Sequence, residues 1–172
     1  MTDLIVSECK EEDFMHPTII EGPISRIVGF GDVHGDPNIV IDFLVRADCI
    51  EETTDTINII EFNGKKFRWI GNDTIVVQVG DQIDSCRPYD DLDCADDTAN
   101  ASDVAMDIEI LRFFTDLDAL AKIHSGRVIS LLGNHEIMNI MGNMKYVSYK
   151  NIMKFAEKND TVSDALIKRK KY

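Results

Sequence analysis

Three short clusters hold most of the residues in this chain that could do chemistry. Gly31-Asp32-Val33-His34-Gly35-Asp36 sets a carboxylate and an imidazole two positions apart. Gly80-Asp81-Gln82-Ile83-Asp84 sets two carboxylates three positions apart, and Gly133-Asn134-His135-Glu136 adds an amide oxygen, an imidazole and a further carboxylate. Oxygen and nitrogen donors without thiolate suit Mn²⁺, Fe or Zn²⁺ rather than a structural zinc knot. Singly, each cluster has an ordinary explanation, a turn after a strand or a polar surface pair. Together they form a site only if the fold brings them to one edge.

The elements around them predict that it does. Arg26–Phe30, Thr74–Val79 and Arg127–Leu132 are short Val- and Ile-rich runs, each closed by Gly-Asp or Gly-Asn. Such runs read as buried strands, with glycine permitting the abrupt turn. In extended backbone, residues two apart point the same way, so Asp32 and His34 are expected to reach one ion. Asp36 can cap a helix with Pro37 at its first position and Val40, Phe43, Leu44 and Ala47 along one face. A longer helix is predicted from Ser102 to His124, capped by Ser102, with a stripe of Ile108, Leu111, Phe114 and Leu117 and with Gly126 just past its end. Between them, Thr56–Phe62 and Lys66–Ile70 flank Asn63-Gly64, a strong hairpin signal. Strands alternating with helices imply an α/β fold with at least three parallel strands and ligands at their carboxyl edge.

Composition narrows the function. The 172 residues are 44% hydrophobic, enough for a one-domain core. Lys and Arg total 18 against 31 Asp and Glu, and the net charge of −13 argues against long nucleic acids and anionic lipid as partners. No run reaches the roughly 20 apolar residues of a membrane helix, and the start lacks signal-peptide character, so an intracellular, cytoplasmic location is expected. Cys9, Cys49, Cys86 and Cys94 form no CxxC pair and are expected as free thiols, a Cys86–Cys94 bridge within one loop being the alternative. The acidic stretch Pro88–Asn100 lacks the glycine spacing of a calcium loop and reads as a solvated loop, with a metal site as the weaker alternative. Asn100-Ala101-Ser102 fits a glycosylation acceptor only by its short pattern, and His16 and His124 carry no expected role. Lys168-Arg169-Lys170-Lys171 reads as a solvated helix end, with a phosphate-binding patch as the weaker alternative.

GDVHG at 31–35, GDQID at 80–84 and GNHE at 133–136 resemble, in order and wording, the motifs GDxHG, GDxxD and GNH[DE] of the calcineurin-like metallophosphoesterases. The stretch from Leu131 to Tyr146 is similar to the Shewanella-like branch of the phosphoprotein phosphatases, and GDQIDSCRP to relatives encoded by large DNA viruses. The resemblance covers roughly Ile24 to Tyr149. It implies a layered α/β sandwich with a central, mostly parallel sheet, of which this chain would be the N-terminal half: an extension at 1–23, then a partial domain at 24–172. Two metal ions are implied, with Asp32 and His34 on the first, Asp81 bridging both and Asn134 on the second. His135, oriented by Asp84, would protonate the leaving group. Two cations about 3.5–4 Å apart would supply a hydroxide nucleophile and stabilise phosphoryl charge during in-line attack.

Two departures bear on that reading. Phosphoprotein phosphatases usually carry GDxxDRG at the second corner, whereas Ser85-Cys86 stand here in place of Arg-Gly. Arg87 becomes the candidate phosphate clamp, its bidentate fork the physical reason. The family also draws further histidines from strands beyond the third corner, and this chain has none after His135. A half-filled second site would bind its ion weakly, and uncovered apolar sheet would favour association. The leading expectation is a phosphatase acting on phosphomonoesters, phosphoserine or phosphothreonine in proteins among them. The alternatives are a catalytically incomplete binding or assembly module, and a hydrolase of dinucleoside polyphosphates or phosphodiesters.

Overall fold

The computed structural model describes residues 24–88, 92–99 and 102–172. The expected extension at 1–23, Cys9, His16, the centre of the acidic stretch and the start of Asn100-Ala101-Ser102 lie outside them. The elements run β1 (Ile27–Phe30), α1 (Pro37–Arg46), β2 (Ile50–Glu52), β3 (Ile60–Phe62), β4 (Lys65–Trp69), β5 (Ile75–Gln78), α2 (Asp107–Lys122), β6 (Arg127–Ser130), α3 (Asn134–Ile140), α4 (Tyr149–Met153) and α5 (Val162–Arg169).

Two three-stranded sheets result. The three runs that end in glycine form the parallel sheet β1-β5-β6, with β5 in the centre. Its register sets Val28, Val76 and Val128 side by side, and all three face the main core. The hairpin forms the antiparallel sheet β2-β4-β3, and Asn63 (φ 50°) and Gly64 (φ 73°) make the left-handed turn their types favour. Strand β2 has only three residues, too few to show periodicity, and it completes this sheet by pairing with β4.

The helices cover the parallel sheet on its core side. Asp36 caps α1 by accepting from the Asn38 N–H at 2.8 Å, with Pro37 in the first turn and Val40 and Leu44 fully buried. Helix α2 starts later than its sequence suggests: Ser102 does not cap it, and Met106 stands at its N-terminus without a side-chain bond. The buried face is also rotated from the expected stripe. Ile110, Phe113, Phe114, Leu117 and Leu120 enter the core, while Ile108 and Leu111 are only partly covered. At its far end Ser125 takes the left-handed conformation (φ 64°), and the Gly126 N–H returns to the Ala121 carbonyl at 3.0 Å. Gly126 is needed for space instead, since a Cβ there would lie 2.6 Å from the Asn72 carbonyl and 2.9 Å from the Trp69 ring. The carboxyl-terminal part forms two helices, α4 and α5, closed over a small core of Val147, Ile152 and Ala165.

Candidate metal centre

Backbone contacts press the three corners together. The Val33 and His34 N–H groups both donate to the Asp81 carbonyl at 3.0 Å, and Gly35 N–H donates to that of Gln82 at 2.9 Å. Gly80 (φ 104°) meets Gly133 so closely that a Cβ on it would fall 2.2 Å from the Gly133 nitrogen. The buried Gln78 side chain closes the β5 corner by bonding both Gly80 N–H (2.8 Å) and Gly80 carbonyl (2.7 Å).

Glu136 locks the second and third corners. Its buried carboxylate accepts N–H bonds from Gly133 (2.7 Å), Asp81 (2.8 Å), Gln82 (2.7 Å) and, more loosely, Ile83 (3.4 Å). Four donors converging on one carboxylate fix the loops that carry Asp81 and Asn134.

The side chains then meet. Ligand atoms of His34, Asp81 and His135 lie within 4.8 Å of one another. His34 Nδ1 donates to the Ile83 carbonyl at 3.2 Å, which leaves Nε2 as the donor to a cation. Asp81 Oδ1 accepts from the His135 N–H at 3.1 Å. The Asn134 amide lies 3.3 and 3.1 Å from the two Asp81 oxygens. In the orientation that satisfies both of its ends, the amide nitrogen donates to those oxygens and ties Asn134 to Asp81. The donors fit a hard to borderline metal ion on chemistry alone. Asp32 is exposed, and its carboxylate stands outside the 4.8 Å group.

Behind His135 sits a buried acid. Asp84, fully buried, accepts from His135 Nδ1 at 2.9 Å and from Asn139 Nδ2 at 3.0 and 2.9 Å. The His135 ring is edge-on to His34, centroids 4.8 Å apart, and 5.0 Å from that of Tyr146. Arg87 is exposed, lies 5.6 Å over the Tyr146 ring, and uses Nη1 to bond the carbonyls of Asp84 (2.9 Å) and Cys86 (2.8 Å).

Three expectations need correction. The first corner is not extended: Asp32 (φ 56°) and His34 (φ 44°) are left-handed, as are Asp81 (φ 55°) and Asp84 (φ 70°). Convergence comes from these sharp bends and the backbone bonds to the second corner, not from strand alternation. Cys86 and Cys94 are bridged, pinning the loop next to Arg87 with Cα atoms 5.9 Å apart. Cys49 is free and buried, and burial raises its thiol pKa. In the basic tail, Arg169 is buried rather than solvated and reaches Asp107 at 3.3 Å.

Sequence reasoning overlooked Asn139, Arg169, Asp107 and Tyr146, and saw in Glu136 only another carboxylate. Asn139 lies four residues after His135, one helical turn on, a spacing that puts both on one face. The others are far apart in the chain and carry no local signal.

Residues 25–169 match the family model of the Calcineurin-like phosphoesterase. The chain is 32% identical over 130 residues to Shewanella-like protein phosphatase 2 of Arabidopsis thaliana, covering 76% of this chain and 25% of that protein. It is 28% identical over 130 residues to Shewanella-like protein phosphatase 1 of Plasmodium berghei, covering 76% and 27%. An uncharacterized protein of Acanthamoeba polyphaga mimivirus is 54% identical over 43 residues, 25% of this chain and 17% of that one. The crystal structure of a cold-active protein-tyrosine phosphatase from a psychrophilic Shewanella sp. shares the fold, with a TM-score of 0.52 at 21% identity over 86% of this chain and 37% of that one. The chain thus spans about a quarter of the two Shewanella-like phosphatases it matches. A mixed α/β fold, three corners in family order and a match over nearly the whole described length lead to one assignment: the chain belongs to the calcineurin-like phosphoesterase family.

Proposed function

We propose that residues 24–172 are part of the catalytic domain of a binuclear metallophosphatase that hydrolyses phosphomonoesters, phosphoserine and phosphothreonine in proteins among them. The observation that carries this reading is the meeting of His34, Asp81 and His135 in front of the buried Asp84. Asp32 and His34 would hold one Mn, Fe or Zn ion, Asp81 both ions, and Asn134 the second. When bound, such ions supply Lewis acidity and an ionised water for in-line attack on phosphorus.

The protein's own groups do the rest. His135, with Nδ1–H committed to Asp84, keeps Nε2 toward the cluster, where, after taking up a proton there, the ring can pass it to the leaving oxygen. Arg87 can swing its fork from the Tyr146 ring to two phosphoryl oxygens. On the reverse of the parallel sheet Ile27 is exposed, and so, to differing extents, are Val79, Leu131 and Leu132 at its ends, and this apolar surface supports association with a covering polypeptide.

No helix among the described residues is long and apolar enough to cross a membrane. An intracellular site of action belongs to this proposal, and the Cys86–Cys94 bridge, of a kind uncommon in reducing compartments, is the observation that weighs against it.

The test is aryl-phosphate hydrolysis by the full-length protein with added Mn²⁺. Asp81→Asn should abolish turnover and weaken Mn²⁺ binding in calorimetry. Unchanged turnover in that variant would overturn the enzymatic reading. Binding of one ion or none, with no turnover, would favour a binding module.

A further inference from the structure

The polar contacts behind His135 do not end at Asp84. Asn139 Nδ2 donates to both Asp84 oxygens and to the His135 carbonyl at 3.0 Å. Its other end, Oδ1, accepts from Arg169 Nη2 at 3.2 Å. Arg169 is buried at the end of α5, 34 positions after His135, and is held by Asp107 Oδ2 (3.3 Å), the Asn151 carbonyl (3.5 Å) and the Phe155 ring (5.5 Å). We propose that Arg169 is a positioning residue for the His135–Asp84 pair: it dictates which end of the Asn139 amide faces Asp84.

The reason is polarity. The two ends of an amide are nearly equal in shape and opposite in hydrogen-bonding character. A carboxylate accepts only the NH₂ end, and the reversed amide would set oxygen against two oxygens in a buried site. Arginine has five donors, no acceptor, and no accessible neutral form. A guanidinium fixed at Oδ1 therefore leaves the amide one orientation. That orientation holds Asp84 on Nδ1 of His135 and leaves Nε2 toward His34 and Asp81. Tethering α5 does not require this contact, since Asp107 and Phe155 already hold the guanidinium. Neighbouring Lys168 pairs instead with Glu157 (3.0 Å) and Asp160 (2.7 Å) outside this network.

The geometric claim stands without turnover, while its catalytic consequence rests on the phosphatase reading. The experiment is ¹H–¹⁵N spectroscopy of the histidines in the whole chain at one fixed pH. In the parent chain His135 should be a single Nδ1–H tautomer whose proton exchanges slowly. Arg169→Met, with helical circular dichroism retained, should lose that slow proton and populate the Nε2–H tautomer. Asn139→Leu should do the same, and the double variant should add nothing further.

A folded Arg169→Met with an unchanged His135 signal would overturn the proposal, as would an unchanged signal in Asn139→Leu. If Arg169→Met does not fold, Arg169→Lys decides. With one mobile donor it should shorten the proton's lifetime, and an unchanged lifetime would overturn the idea. In a turning-over full-length protein, kcat should drop about tenfold in Arg169→Met with KM little altered. Absence of turnover in the parent protein would defeat the phosphatase reading and leave the tautomer result standing.

Discussion

The parallel sheet β1-β5-β6 and the antiparallel sheet β2-β4-β3 have three strands each, yet their polar side chains do different work. On the antiparallel sheet, charges pair across strands in water: Arg68 with Glu51 and Asp55, Lys65 with Glu52, and Lys66 with Glu61, all substantially exposed. At the carboxyl ends of the parallel sheet, Asp84, Glu136 and His135 are buried, and their partners are backbone N–H groups, the Asn139 amide and one another. The difference follows from topology. Parallel strands all end at the same edge, so three loops must converge there, whereas antiparallel strands send neighbouring ends to opposite sides. Convergence concentrates chemistry, and it also concentrates steric demand.

That demand predicts the largest effect. Gly80→Ala would drive a Cβ into the Gly133 backbone at a left-handed φ, and should cost more than about 4 kcal/mol in denaturant unfolding. Gly64 is equally left-handed but has nothing within 4 Å of its Cβ position, so Gly64→Ala in the hairpin should cost only about 1 kcal/mol. Equal losses in the two variants would break the contrast between the sheets.

Phe67, 1% exposed on β4, anchors the antiparallel sheet on the core. Phe67→Ala should destabilise by about 3–5 kcal/mol. Mn²⁺ affinity measured by calorimetry on the folded fraction should stay within a few-fold. A large loss of affinity would show that the second sheet shapes the site after all.

Buried acid should also give the site side its own pH dependence. Burial pushes Asp107 up to about 7, even with Arg169 pulling it down. Between its ordinary value of 3.8 and about 7 the folded chain therefore holds a proton that the unfolded chain has released. Folding stability from this group is fully present below that window and declines as pH rises through it. Asp107→Asn should flatten this part of the profile in urea unfolding followed across pH. A steeper fall in the variant would contradict the assignment.

The smallest effect is expected on the other sheet. Arg68→Ala removes an exposed pair on β4 and should leave the melting temperature unchanged within error.

The parts of the molecule legible in its sequence were those with local causes. The Val- and Ile-rich runs closed by glycine, the Asp36-Pro37 helix start and the Asn63-Gly64 turn each depend on neighbouring residues, and each forms as expected. The gathering of three motifs at one edge was legible because strand, helix, strand order implies parallel pairing. What escaped depends on distant partners. Strand β2 exists because β4 offers it an edge, and α2 begins only at Asp107, which Asn151 and Arg169 hold from 44 and 62 positions away. Arg169 sits in a run of four basic residues, and nothing in that run distinguishes the one that enters the interior. The backbone of Asp32 and His34 departs from the extended expectation for the same reason, since its left-handed bends are stabilised by the Asp81 carbonyl rather than by their own neighbours.

The Cys86–Cys94 bridge falls between the second corner and the third. A protease cutting inside that loop would divide the chain into one fragment bearing Asp32, His34, Asp81 and Asp84 and another bearing Asn134, His135 and Arg169. The bridge would keep the fragments joined, and β5 would still lie against β6. Such a nicked protein would run as one band on a non-reducing gel and as two after dithiothreitol.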